Sequence, residues 1–280
     1  MTDNRLAAYL DRIALPAAPD VSAEGLAALL SAHRRAIAFE NLDIPLGRGI
    51  RIDSESVFDK LVTRRRGGYC FEQNRLLGDR LVELGFTLRP LLARVHLGNP
   101  PEAITVRSHV TLLVTLDGAP WIVDGGFGGS DLPLLPLIDG ATATSPDGAT
   151  HRLRRTGALC GDWLLERAGP HGATDGRALP HEDWQAQYSF DLVHVAPDDL
   201  EQCNHWTSTR PGTRFTTLHI ASIALPSGFA SLTDRMLVVQ EGGTKSTREI
   251  ANAADYAQLL QSLFKLNVSA AEAEALPLFA

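Results

Sequence analysis

The hydrophobic period of this 280-residue chain changes at Phe86, and the change divides what it can fold into. Before Phe86, apolar residues recur at helical spacing. Leu26, Leu29, Leu30 and Ile37 follow Ser22, a suitable N-cap. A second helix begins near Ser54 and runs toward Leu61. A third spans 70–84, with Leu77, Leu81 and Leu84 on one face and Gly85 as its stop. After Phe86 the pattern alternates. Segments 88–96, 108–116, 121–124, 151–156 and 163–167 read as strands, separated by connections rich in Gly, Pro, Thr and Asp. That spacing predicts a small antiparallel barrel or sandwich. A helix over 196–207 follows, with Pro197 and two aspartates at its start. Strands near 218–225 and 235–240, a Gly242-Gly243 turn, and helices over 253–264 and 270–275 complete an α+β chain.

The third helix opens on a cysteine. Cys70 follows Gly67-Gly68-Tyr69, so it sits where the first helical turn carries unpaired N–H groups and the positive end of the helix dipole. Both favour a thiolate, which is the nucleophilic form. A free cysteine is otherwise a small buried hydrophobe, so position alone leaves both readings open.

Two residues further along bear on the choice. His109 lies in the strand 108–116, Asp117-Gly118 follows as a hairpin signal, and Asp124 ends the next strand. A two-residue turn pairs Leu116 with Ala119 and therefore sets Asp124 opposite Thr111. His109 and Asp124 are then diagonal neighbours on one face, about 7–8 Å apart at the backbone. A three-residue turn puts them on opposite faces. Taken singly, each has a local reading, His109 as a capping residue and Asp124 as a turn former. With Cys70 they make a nucleophile, a base and an orienting carboxylate. The imidazole takes the thiol proton and the carboxylate holds the ring in one tautomer.

The run Arg66-Gly67-Gly68-Tyr69-Cys70-Phe71-Glu72-Gln73-Asn74 resembles the signature of the arylamine N-acetyltransferases, bacterial type. So do Phe39-Glu40-Asn41-Leu42, Arg107-Ser108-His109, Asp124-Gly125-Gly126-Phe127-Gly128, and Asp198 through Thr209. The resemblance covers nearly the whole chain in order. It implies a helical bundle over 1–85 carrying the cysteine and a β-barrel over 86–195 carrying His109 and Asp124. An interdomain helix and linker over 196–212 and an α/β lid over 213–280 would follow, around a cysteine-protease-like catalytic core. It implies Cys70, His109 and Asp124 as catalytic residues and a buried Glu40–Arg66 pair as structural support for the Cys70 loop. Gly126, Phe127, Gly128 and Gly129 would line the acetyl-coenzyme A cleft, and Phe39, Tyr69, Val95 and Phe127 the acceptor pocket. Acetyl-coenzyme A would be a co-substrate, with no permanently bound cofactor and no metal. The acceptor would be a small aromatic amine, hydrazine or N-hydroxyarylamine, acetylated by a ping-pong route through an acetyl-cysteine. Two departures bear on the acceptor pocket. Gly125 stands where the family has valine, which loosens the backbone beside Asp124, and Leu97 stands near where some bacterial members carry an aromatic.

Other classes are excluded or stay as alternatives. A net charge of −7 gives no reason to expect a nucleic-acid or anionic-membrane partner. Three cysteines argue against a disulfide framework, leaving Cys160 and Cys203 as structural residues. Cys203-Asn204-His205 offers poor chelating geometry. The N-terminus lacks a signal-peptide apolar core and no apolar run reaches membrane-spanning length, so the expected location is cytoplasmic. The oligomeric state is not written in the sequence. Three alternatives share the site residues or lack chemistry altogether. They are a Cys-His-Asp hydrolase, an amide synthase drawing on a carrier-protein thioester, and a non-catalytic binding module.

Overall fold

The computed structural model describes residues 5–100, 103–158, 161–178 and 183–279; Cys160 lies outside them. Helices α1 (Arg5–Arg12) and α2 (Ala23–Ala36) open it. Ser22 caps α2 by accepting the Gly25 N–H at 3.0 Å. The chain extends through β1 (Phe39–Glu40) into α3 (Ser54–Phe58), which widens into a π-helical turn over 59–63. Helix α4 (Cys70–Glu83) stops at Gly85, whose φ of 96° no β-carbon would favour. Leu26, Leu29 and Leu30 of α2 and Leu76, Leu77 and Leu81 of α4 form one core with Leu112 and Val114. The apolar stripes of the helices are therefore buried on a sheet as well as on each other.

That sheet comprises β2 (Thr87–Val95), β3 (Arg107–Leu116), β4 (Ala119–Val123), β5 (Leu135–Pro136), β6 (Thr142–Thr144), β7 (Thr150–Ala158), β8 (Gly161–Ala168) and β9 (Gln185–Phe190). Its order is β5-β4-β3-β2-β9-β8-β7-β6, antiparallel throughout. The connection 137–141 joins the two edge strands, and the Gly140 N–H reaches the Leu153 carbonyl at 2.8 Å. The sheet thereby curls into a nearly closed barrel, filled by Leu91, Leu153, Leu165, Tyr188 and Phe190. Strand β9 has no clear hydrophobic period, because Gln185, Gln187 and Ser189 are buried along with the apolar residues. Ser189 is satisfied there by a 2.8 Å hydrogen bond with His96 Nε2.

Helices α5 (Pro197–Thr209) and α6 (Arg214–Thr217) lead to a second sheet of β10 (Ile220–Leu225), β11 (Gly228–Thr233), β12 (Met236–Glu241) and β13 (Thr244–Glu249). Helices α7 (Ala253–Ser262) and α8 (Ala270–Glu274) follow. Tyr256, Leu260 and Phe264 pack with Ala221, Ala230 and Leu232 into a separate core. Strand β1 joins this sheet, Phe39 facing Ser222 and Glu40 facing Ala221. The first part of the chain is thus stitched directly to the last. Strand β13 carries no apolar residue and is exposed along its length, so nothing in its composition marks it as a strand.

Candidate active site

Cys70 begins α4 and is almost wholly buried. The loop before it is held from several sides. Gln73 Nε2 donates to the Ala38 carbonyl at 2.8 Å and to the Gly68 carbonyl at 3.2 Å. Glu72 Oε2 accepts the Tyr69 N–H at 3.0 Å, satisfying one of the free donors at the helix start. The Tyr69 ring packs on Phe71 and Phe215, and its hydroxyl donates to the Asn204 side chain of α5. Tyr69 therefore braces the loop from behind and does not line the cleft, contrary to the expectation of a pocket wall. Its fully buried ring is spent on packing.

Glu40 and Arg66 do meet, at 3.6 Å, within a larger network. Arg66 also reaches Asp43 at 3.4 Å and Glu272 of α8 at 3.1 Å. Lys60 Nζ lies 2.8 Å from both Asp43 and Glu72. Burial pushes the Glu72 carboxyl up to about 7, with Lys60 opposing the rise. Burial acts the same way on Asp43, but Lys60 and Arg66 outweigh it and hold that carboxyl below its ordinary range. Lys60 sits on the π-helical turn; its motif neighbours gave no hint of it.

The hairpin turn has two residues, Asp117 at φ 50° and Gly118 at φ 78°. Leu116 faces Ala119 and Leu112 faces Val123, so the register carries Asp124 to the level of Thr111. His109 Nε2 then meets Asp124 Oδ2 at 2.6 Å. This leaves Nδ1 as the ring nitrogen available to the Cys70 thiol. Burial works against charge on His109, but the Asp124 carboxylate and a hydrogen bond with Cys70 overcome it and raise the imidazole to about 10. Burial likewise opposes charge on Asp124, yet His109, Asn74 and Arg34 hold its carboxyl low. The rings of Phe127 and Tyr188 pack on His109 at 5.4 and 5.0 Å between centroids.

Two supporting residues were not singled out by the sequence reading. Asn74 lies one turn after Cys70 on the same face of α4. Its Nδ2 donates to Asp124 Oδ1 at 2.9 Å and to the Val110 carbonyl at 2.7 Å, and its Oδ1 accepts the Gly125 N–H at 2.9 Å. The position i+4 from the cysteine was the available clue. Arg34 of α2 pairs with Asp131 at 2.8 Å and donates to the carbonyls of Asp124, Phe127 and Ser130. One guanidinium thus gathers the whole glycine-rich loop.

A cleft of about 110 Å³ opens over the thiol, lined by Phe39, Cys70, Val95, Ser108, His109, Gly126, Phe127, Gly128 and Gly129 among others. Gly126 is required by close approach: a β-carbon there would lie 2.7 Å from the Cys70 α-carbon. Gly125 does not line the cleft. A β-carbon on it would point at Leu77 and His33, 2.9 and 3.2 Å away. The missing side chain leaves room for Leu77 and His33 behind the site, a consequence distinct from the expected loosening of the backbone beside Asp124. Leu97 packs beside Phe127 in the barrel interior.

A buried cysteine at a helix start thus shares a cleft with a histidine held by a carboxylate, the set of groups that thiol-dependent acyl transfer calls for. A family model described as N-acetyltransferase matches residues 22–273. The arylamine N-acetyltransferase of Escherichia coli K12 is 37% identical over 267 residues, spanning 94% of this chain and 89% of that protein. The solved arylamine N-acetyltransferase of Salmonella typhimurium superposes with a TM-score of 0.88 at 32% identity, covering 99% of this chain and 98% of the other. The Mycobacterium marinum enzyme in complex with CoA superposes with a TM-score of 0.85 at 33% identity, covering 96% and 97%. The chain belongs to the arylamine N-acetyltransferase family.

Proposed function

We propose that the protein transfers an acetyl group from acetyl-coenzyme A to an arylamine, arylhydrazine or N-hydroxyarylamine through an acetyl-Cys70 intermediate. The observation that carries this reading is the 2.6 Å His109–Asp124 contact beside a helix-start cysteine. The Cys70 thiolate, formed by proton transfer to His109, attacks the thioester carbonyl. Amide N–H groups of the first turn of α4 face the developing oxyanion, and one such donor is worth about 3–4 kcal/mol. The C–S bond of the donor breaks, and coenzyme A leaves as a thiol with the proton from His109. The acceptor nitrogen or hydroxylamine oxygen then attacks acetyl-Cys70 and gives its proton to His109. The Cys70 thiolate departs, restoring the starting pair. Acetyl-coenzyme A is consumed as a substrate. Cleft residues Phe39, Val95, Phe127 and the glycines at 126, 128 and 129 are the surfaces that meet acyl group and acceptor.

Intact mass after mixing with acetyl-coenzyme A tests this. One acetyl group is gained, it maps to Cys70, and it is lost on adding an arylamine. Cys70→Ser gains none and loses at least about 10⁴ in turnover while keeping its fold. A Cys70→Ser enzyme with near-normal turnover sinks the mechanism.

A further inference from the structure

An open groove of about 810 Å³ lies between the first two helices and the connection from α7 to α8, and it shares no lining residue with the cleft over Cys70. Four cations line it, each from a different segment. Arg12 ends α1, Arg35 lies in the last turn of α2, Arg65 follows the π-helical turn, and Lys265 follows α7. Asp11 is the one carboxylate among the described lining residues. None of the four cations forms an ion pair among the described residues, although their neighbours in the chain do. Arg34 meets Asp131 at 2.8 Å, Arg64 meets Asp59 at 2.8 Å and Arg66 meets Glu272 at 3.1 Å.

One of the four has a structural duty. Arg12 Nη1 donates to the Ala36 carbonyl at 2.6 Å and Nε to the Leu61 carbonyl at 3.0 Å, so it serves the C-terminal end of α2, where a cation is favoured. The other three are not absorbed in this way. Arg35 gives one bond at 3.4 Å to the Pro226 carbonyl, and its Nε has no acceptor. Lys265 Nζ donates to the Arg35 carbonyl at 2.7 Å, which uses one of its three protons. The Arg65 side chain is exposed and makes no hydrogen bond among the described residues.

Holding these groups together is costly. Like charges disfavour one another's charged form. Burial and Arg65 push the Arg12 guanidinium down to about 10, and burial, Arg12 and Arg35 lower the Lys265 ammonium. The backbone is strained at the same place. Of the five non-glycine residues with positive φ among the described residues, three line this groove: Ala14 at 54°, Arg65 at 53° and Lys265 at 58°. A β-carbon makes that conformation unfavourable, and residues held in it collect at ligand clamps. The Asn267 N–H donates to the Arg65 carbonyl at 3.0 Å, which ties the two strained segments to each other.

We propose that this groove binds a small-molecule polyanion, an oligophosphate or a tricarboxylate, whose clustered anionic oxygens bridge Arg35, Arg65 and Lys265. Guanidiniums suit either oxyanion through paired N–H donors. The surplus of cations over acid favours more than one negative charge on the ligand. The volume is that of a small-ligand pocket, and the chain's net charge of −7 disfavours a nucleic acid or an anionic membrane as the occupant. The bound anion links α2, the segment leading to Cys70 and the α7–α8 connection, so it stabilises the fold without touching the thiol. The proposal does not depend on the acyl-transfer reading.

Isothermal titration with tripolyphosphate and with citrate, at constant ionic strength set by KCl, tests it, with thermal unfolding in the same solutions. The wild-type protein binds one equivalent of at least one of them, and Tm rises with its concentration. Affinity falls about tenfold in the double variant Arg65→Gln/Lys265→Gln, as expected for the loss of partly exposed charge-assisted contacts. It also falls in Arg35→Gln, which serves if the double variant unfolds without ligand. Arg214→Gln, in the cleft over Cys70, leaves the affinity unchanged. Tighter tripolyphosphate supports the proposal with phosphate as the preferred oxyanion, and tighter citrate supports it with carboxylate. No binding of either at millimolar concentration overturns the proposal. So does an affinity unchanged in the groove variants, or one that only Arg214→Gln weakens, which places the anion in the cleft.

Discussion

His33 and His109 are buried to the same depth, both against the turn at Asp124-Gly125-Gly126, and the protein leaves one neutral and charges the other. Burial acts on each in the same direction, against the imidazolium. For His109 the Asp124 carboxylate reverses the outcome and raises the ring to about 10. For His33 nothing does. Burial dominates, the hydrogen bond with Gln73 opposes it without reversing it, Arg34 and Arg12 reinforce it, and the ring falls to about 3. His33 bonds Gln73 Oε1 at 2.7 Å and Tyr9 at 2.9 Å as a neutral ring. It fills the space beside Gly125 and fixes the residue that holds the Gly68 carbonyl. One partner, a carboxylate in place of an amide, separates a charged imidazole from a neutral packing element.

The largest effect expected from breaking this contrast is in Asp124→Asn, which makes the partners alike. His109 loses its charge support and its tautomer, and kcat falls by about 10⁴, as for other triads whose orienting acid is lost. Iodoacetamide labelling of Cys70 at neutral pH slows in parallel. A variant retaining a tenth of wild-type kcat breaks the claim that the partner sets the charge.

Gly125→Val probes the other histidine. The new side chain overlaps Leu77 and His33, and overpacking of this kind costs about 1–3 kcal/mol. Denaturant unfolding measures it. Adding His33→Ala makes room, so the double variant departs from additivity by at least about 0.5 kcal/mol. Strict additivity shows that His33 does not occupy the valine's place.

The smallest effect per step of the measurement is a pair of slopes. A folded-state rise for His109, from about 6.5 to about 10, gives stability fully present below the lower value and lost as pH climbs through the upper. The fall for His33 runs the other way: between about 6.5 and about 3 the unfolded chain binds the extra proton, so stability is lost as pH drops through that window. Each contributes at most about 1.4 kcal/mol per pH unit. Urea unfolding across pH shows His33→Gln flattening the acid limb and Asp124→Asn the alkaline one. Asp124, held low, adds its own acid loss only below the ordinary carboxylate range. Identical slopes in wild type and His33→Gln remove the contrast.

Several of these residues could be placed by reading the chain and several could not. The His109–Asp124 contact follows from Asp117-Gly118, because a two-residue turn dictates every pairing beyond it. The helix starts at Ser22 and Cys70 follow from local capping and dipole chemistry. Strand β9 was hidden by its buried glutamines and serine, and β13 by its lack of apolar residues, since the alternation that marks a strand assumes one wet face and one dry face. The motif position of Tyr69 suggests a pocket wall, but its ring is fully buried and its hydroxyl is held by Asn204 from α5, a residue 135 positions away. Gly125 was read for backbone freedom, whereas its importance is the missing side chain beside a histidine 92 positions earlier in the chain.

What the sequence by itself determined is therefore local. It specified which residue opens α4 and that Asp117-Gly118 joins two strands, with the shared face of His109 and Asp124 following once the turn has two residues, all through geometry a few residues wide. Only the tertiary structure decided that Asn74 and Arg34 would clamp the Asp124 turn and which buried histidine would be charged. Those outcomes depend on desolvation and on Coulomb interactions that fall off with distance. They exist only where the fold brings segments remote in the chain to within a few ångströms.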